Sequence, residues 1–160
     1  MNRIFFYVLL FSISLLISCQ TTTKTNEWKT IFDGESLDGW KKAGENPESI
    51  SIEDGAIKCA GERSHLFYNG DYKNFEFEAD VKALAHSNSG IFIHTKYQEE
   101  GWPSKGYEIQ VNNSHPPERR KTGSIYNIRN IYYPLAKDNE WFKMRIKVVE
   151  NHVEIFINDK

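Results

Sequence analysis

The stretch Phe75-Glu76-Phe77-Glu78-Ala79-Asp80-Val81-Lys82-Ala83 decides the fold. Its apolar and charged residues alternate without a break, and a period of two is the signature of a strand. Phe75, Phe77, Ala79, Val81 and Ala83 share one face; Glu76, Glu78, Asp80 and Lys82 share the other. A strand of this kind belongs to an antiparallel sheet with one face on a core and one in water. The same pattern returns downstream, where Phe142, Met144, Ile146 and Val148 alternate with Lys143, Arg145 and Lys147. Val153, Ile155 and Ile157 follow across Glu150-Asn151, which predicts a hairpin. Upstream, Ile50-Ser51-Ile52-Glu53 and Ala56-Ile57-Lys58-Cys59 flank Asp54-Gly55, a strong two-residue hairpin signal.

No segment beyond residue 17 carries a helical stripe. The polar stretch 112–122 contains Pro116-Pro117 and the run Glu118-Arg119-Arg120-Lys121, and reads as a loop. Trp40 and Trp141 read as packing residues. Short strands separated by turn signals predict an all-β antiparallel sandwich. The last residues, Ile155-Phe156-Ile157-Asn158-Asp159-Lys160, read as a strand entering a turn. The expectation is a sandwich incomplete at its C-terminus, with an open edge near Val153 to Ile157.

The chain has 160 residues, enough for one domain with a core of its own. A formal charge of −2 argues against nucleic acid as a partner. Two cysteines cannot build a disulfide framework. Residues 1–18 carry one charge, Arg3, ahead of an apolar run at 4–17. That run is shorter than the ~20 residues a membrane-spanning helix needs and fits a signal peptide. It ends Leu16-Ile17-Ser18-Cys19, which is similar to a bacterial lipobox, with cleavage before a cysteine that is then lipidated. An ordinary secretory signal with a chance cysteine is the alternative. The expected organisation is a lipoprotein signal peptide at 1–18, lipidated Cys19 with a flexible tether at 19–27, and one domain at 28–160. The expected location is the bacterial envelope, with the protein lipid-anchored to the membrane.

Candidate chemistry sits on two strands. In Tyr107-Glu108-Ile109-Gln110-Val111-Asn112, the residues Glu108, Gln110 and Asn112 share a face, spaced by about 7 Å. Such a row suits the hydroxyls of a sugar ring, and equally a solvated sheet face. In Asn88-Ser89-Gly90-Ile91-Phe92-Ile93-His94, alternation places His94 on the polar face if the isoleucines face the core. A lone histidine is more often structural than catalytic, and His94 gains weight only beside Glu108. Trp102, in the loop before the Glu108 strand, and Tyr126 offer aromatic faces on which a sugar could stack. No Ser-His-Asp set, Cys-His pair, phosphate loop or paired-cysteine zinc motif is present.

The stretch Phe32-Asp33-Gly34-Glu35-Ser36-Leu37-Asp38-Gly39-Trp40 resembles the opening of the 3-keto-disaccharide hydrolase domain family. Further blocks agree in order: Asp54-Gly55, Asn74-Phe75-Glu76-Phe77, Asn88-Ser89-Gly90-Ile91-Phe92, Gly106-Tyr107-Glu108-Ile109-Gln110, Thr122-Gly123-Ser124-Ile125-Tyr126 and Glu140-Trp141-Phe142. The resemblance implies a concanavalin-like sandwich of jelly-roll type. It implies a carbohydrate-active hydrolase, or a lyase followed by hydration, that cleaves 3-keto-glycosides. A ketone at C3 acidifies the C2 proton, so a base can remove it and the leaving group departs from C1. On this reading Glu108 and His94 are the catalytic candidates, and Asn88, Gln110, Trp102 and Tyr126 bind substrate. A divalent metal held by Glu108 and His94 is the cofactor such chemistry could use. Relatives often carry arginine at the position of His94. A non-catalytic glycan-binding module is the alternative on the same architecture, and a protein-interaction domain a more distant one.

Overall fold

The computed structural model describes residues 27–160. The expected signal segment and Cys19 lie outside the described residues. Residues 27–30 are exposed coil, and residues 31–160 form one compact unit.

The architecture is an antiparallel β-sandwich. Its strands are β1 (Trp40–Lys42), β2 (Ile50–Glu53), β3 (Ala56–Cys59), β4 (Leu66–Tyr68), β5 (Phe75–Lys82), β6 (Ser89–Ile93), β7 (Tyr107–Val111), β8 (Trp141–Val149) and β9 (His152–Ile157). One 3₁₀ turn, Pro47–Ser49, is the only helical element among the described residues. Strands β5, β8 and β9 form a sheet in that order; β6 pairs with β7, β2 with β3 and β1 with β4.

The predicted register holds. Phe75 pairs with Val148, Phe77 with Ile146, Ala79 with Met144 and Val81 with Phe142, so the apolar faces of β5 and β8 coincide. Ile146 pairs with Ile155 and Met144 with Ile157, which adds β9 to the same face. This face packs against Ile93, Ile109 and Val111 of the β6–β7 pair, with Ile91 and Ile125 at its margin. Met144, Ile146 and Ile109 are wholly buried. The opposite face of the three-stranded sheet is laced with ion pairs, among them Lys143–Glu78 at 2.8 Å and Lys147–Glu154 at 3.4 Å. Exposed pairs of this kind add little stability and keep the face in water.

The predicted hairpins also form. Glu53 pairs with Ala56 across Asp54 and Gly55, whose φ values of 52° and 73° are the left-handed pair that a type I′ turn requires. Val149 pairs with His152 across Glu150-Asn151. Asn158 and Asp159 form a further left-handed pair at the end of β9, with φ of 51° and 61°. Among the described residues β9 pairs on one side only, with β8.

Trp141 departs from expectation. It is 57% exposed, because it is one residue out of phase with Phe142 and leaves the sheet on the outer face, opposite Lys82. Trp40 does pack, edge-on to Tyr68 at 5.0 Å with its indole N–H donating to the Ile31 carbonyl at 2.6 Å.

Phe142→Ala should therefore destabilise the domain by about 3–5 kcal/mol. Trp141→Ala, one position away, should stay within about 1 kcal/mol. Urea unfolding of the two variants measures both, and equal losses would contradict the register.

Candidate active site

Strands β6 and β7 build the floor of the site. Phe92 pairs with Glu108 and Gly90 with Gln110, so these four residues share the face turned away from the core. The chain returns to this sheet a second time. The Thr122 N–H bonds to the Asn112 carbonyl, the Gln110 N–H to the Ser124 carbonyl, and the Tyr126 N–H to the Glu108 carbonyl at 2.9 Å. Residues 122–126 thus run beside β7 as an irregular third strand, bridged at Ile109 and Ile125. Gly123, at φ 91°, supplies the left-handed kink in this run. Across the outer face the row reads Phe92, Glu108, Tyr126.

The returning loop is organised by Asn112, which is 0% exposed. Its side-chain amide donates to the carbonyls of Glu118 at 2.9 Å and Arg120 at 2.8 Å. Its carbonyl oxygen accepts the His115 N–H at 2.8 Å. Asn112 is therefore occupied by the protein and not offered to a ligand. Gln110 is 1% exposed, its amide donating to Asn88 Oδ1 at 2.7 Å and to the Ser89 carbonyl at 3.0 Å. The expected row of three hydrogen-bonding groups is in fact one available group, Glu108, beside two buried ones. Gln110 holds Asn88 in place from beneath the surface, and Asn88 is exposed.

Glu108 is partly buried, and among the described residues its carboxylate has no hydrogen bond or ion pair with the protein. It leans over Gly90: a Cβ on that glycine would meet Glu108 Oε1 at 2.4 Å. Burial holds Glu108 above the usual carboxylate range; the nearby Glu118 charge adds to this and Arg120 opposes it. Burial alone would raise Glu118 as well. The Arg120 backbone N–H and guanidinium, with the Tyr126 hydroxyl, outweigh burial and hold Glu118 low. Arg120 Nη1 meets both oxygens of Glu118 at 2.9 Å, Nη2 bonds Asn127, and the guanidinium lies 4.2 Å from the centre of the Tyr126 ring. Two carboxylates at one wall are thereby pushed apart in acidity, one clamped and ionised, the other left unpaired.

His94 directly follows β6 and makes no hydrogen bond or ion pair with Glu108 among the described residues. Its backbone is left-handed, at φ 52°, which interrupts the strand alternation. Its Nε2 lies 3.0 Å from the Lys73 carbonyl and its exposed ring packs edge-on to Phe75. The imidazole on the Glu108 side is His65, just before β4, 5.8 Å from the Phe92 ring and 5.5 Å from Trp102. Trp102 is 58% exposed. The divalent-metal expectation is not supported by the donor set. No three His, Cys, Asp or Glu side chains converge to hold an ion among the described residues. An open hollow of about 430 Å³ flanks the wall, lined by Pro117, Glu118, Arg119, Arg120 and Tyr132.

Sequence reasoning missed Glu118, Arg120 and His65. Glu118 and Arg120 sit in a stretch that is correctly a loop, and nothing local shows that it folds back over β7. Only the apolar Ile125 between polar neighbours hinted at a further strand.

The chain matches the 3-keto-alpha-glucoside-1,2-lyase-like domain over residues 27–160. It belongs to that family. A 3-keto-disaccharide hydrolase of Bacteroides thetaiotaomicron is 29% identical over 173 residues, covering 89% of this chain and 60% of the relative's length. Two crystal structures of Parabacteroides distasonis proteins, provisionally described as glycosyl hydrolases, share the fold. One has a TM-score of 0.68 at 26% identity, covering 81% of this chain and 67% of the other; the second has 0.69 at 28%, covering 84% and 70%.

Two variants test the electrostatics. Glu118→Gln removes a like charge, so the Glu108 pKa should fall; Arg120→Met removes the opposing charge, so it should rise. A carboxyl-carbon NMR titration of Glu108 reads both shifts, and shifts of the opposite signs would contradict the arrangement.

Proposed function

We propose that this chain is the catalytic sandwich of an enzyme that cleaves 3-keto-glycosides, with Glu108 as the base. The observation that carries this reading is the unpaired, half-buried carboxylate over Gly90, raised in pKa toward the range where a base is effective. The family match and the names of its relatives support a carbohydrate substrate.

In the proposed reaction Glu108 takes the C2 proton and the electron pair passes to the C3 oxygen as an enolate. The enolate collapses, C3=O reforms, a C1=C2 double bond forms and the C1–O bond breaks. The departing oxygen takes a proton from solvent. Glu108 exchanges the abstracted proton with solvent, water then adds at C1, and Glu108 delivers a solvent-derived proton to C2. The balance is glycoside plus water giving keto-sugar plus alcohol. Arg120, whose charge already acts on Glu108, supplies positive potential for the enolate. Tyr126, beside Glu108, and Asn88, held by Gln110, border the reacting ring. Lipid anchoring through Cys19 belongs to the same proposal: Cys19→Ala should leave the carbonate-washed membrane fraction for the soluble one, and retention would contradict the anchor.

Glu108→Gln conserves shape and should lower turnover of 3-keto-trehalose by ~10²-fold or more. The same change should not lower the melting temperature at neutral pH. The folded-state pKa of Glu108 lies above its unfolded value, so the ionised group opposes folding. That opposition is absent in acid and grows as pH rises from the unfolded value through the folded one. Full turnover in the variant would remove Glu108 from catalysis.

Gly90→Ala should also lower turnover, since the new methyl group occupies the space of the Glu108 carboxylate. Its φ lies outside the left-handed region, so the effect should fall on activity more than on stability. A variant as active as the parent would show that Glu108 works from another position.

A further inference from the structure

The corner formed by His65, Phe92 and Trp102 has no role in the proton transfer described above. His65 stands edge-on to both rings, with interplanar angles of 76° to Phe92 and 79° to Trp102. Phe92 is the cross-strand partner of Glu108. The outer face therefore reads His65, Phe92, Glu108, Tyr126 from one side to the other. Phe92 is a flat floor with an imidazole on one flank and the carboxylate on the other.

The corner is held rigidly. Gln98 folds the Trp102 loop around itself, its amide donating to the carbonyls of Glu100 and Trp102 at 2.7 Å, while its oxygen accepts the Ser104 N–H at 3.0 Å. Glu45 pins the same loop by accepting the Gly101 N–H at 2.9 Å. Glu45 also binds Arg63 through two hydrogen bonds, of 2.6 and 3.1 Å, and Arg63 lies 5.3 Å from the Trp102 ring centre. With Glu45 so engaged, the His65 side chain makes only ring contacts among the described residues, and neither imidazole nitrogen has a hydrogen-bond partner there. Burial chiefly holds its pKa low; Glu45 pulls the other way and Arg63 adds to the lowering. A neutral imidazole presents one donor and one acceptor, the pair a sugar's adjacent oxygens require. Exposed aromatic surface beside directional polar groups is how a pyranose ring is bound.

We propose that His65, Phe92 and Trp102 form a sugar-ring subsite, in which Trp102 and Phe92 supply the apolar surface and His65 the directional hydrogen bonds. The proposal rests on the reading of the Glu108 face as a carbohydrate site and adds a specificity residue to it. The subsite takes one pyranose ring of the glycoside, with His65 bonded to ring hydroxyl or keto oxygens.

The test uses the full-length protein, 3-keto-trehalose as substrate and trehalose as an unreactive probe. His65→Phe keeps an aromatic ring in the corner and removes its hydrogen bonds; Trp102→Ala removes exposed surface and leaves the core intact. Each should raise KM about 10-fold with kcat within about 2-fold. In the parent protein, trehalose should move the His65 imidazole NMR signals, assigned by their loss in His65→Phe, and leave those of His94 in place. Turnover with unchanged KM in both variants and unmoved His65 signals would overturn the subsite and leave the Glu108 proposal standing. No turnover, with His65 signals that move on adding trehalose, would retain the subsite and remove the catalytic reading. Neither turnover nor a shift would overturn both.

Discussion

Asn112 is the constraint on which the site depends. A wholly buried amide must satisfy its hydrogen bonds within the protein, and Asn112 does so by holding the carbonyls of Glu118 and Arg120 and the N–H of His115. Those bonds fold the loop back on itself directly after β7. Thr122 closes the arrangement, its hydroxyl accepting the Asn112 N–H at 3.0 Å and donating to Asn113 at 2.7 Å. The chain then runs beside β7, and Tyr126 arrives next to Glu108. Without the clamp, Glu118 and Arg120 would be ordinary surface charges. With it, their charges act on Glu108 in addition to the effect of burial.

The electrostatic arrangement differs from that of a two-carboxylate glycosidase, where both acids take part in the chemistry. Here Arg120 engages Glu118 and holds it ionised, so Glu118 acts on Glu108 as a fixed negative charge. Glu108 faces a glycine and has no cation bound to it, which leaves its lone pairs available for a proton. A base paired with Arg120 would be acidic and weak. The spatial division between a clamped and an unclamped carboxylate is what lets one wall carry both a cation and an unpaired carboxylate.

Much of the fold was legible because strand alternation is a local property. Phe75 to Ala83 and Phe142 to Val148 declare their buried face residue by residue, and Asp54-Gly55 declares its turn. Trp141 was misread because an aromatic residue was weighed by type and not by phase with Phe142. Glu108 was legible as a polar residue on the non-core face. Gln110 and Asn112 share its alternation but not its exposure, because the loop that covers them comes from further along the chain. His94 itself takes a left-handed backbone at the end of β6, which sequence periodicity cannot register. His65 was invisible for a related reason: its place beside Phe92 is set by tertiary packing, with no local motif.

The account's central claim is that Glu108 removes the proton at C2. The most direct measurement is the rate of full-length protein acting on 3-keto-trehalose carrying deuterium at C2, compared with the unlabelled sugar, with deuterium loss followed by NMR. The account predicts slower turnover of the labelled sugar and release of its C2 label to solvent, both dependent on Glu108. Cleavage that proceeds at the same rate with the C2 deuterium retained in the product would contradict it.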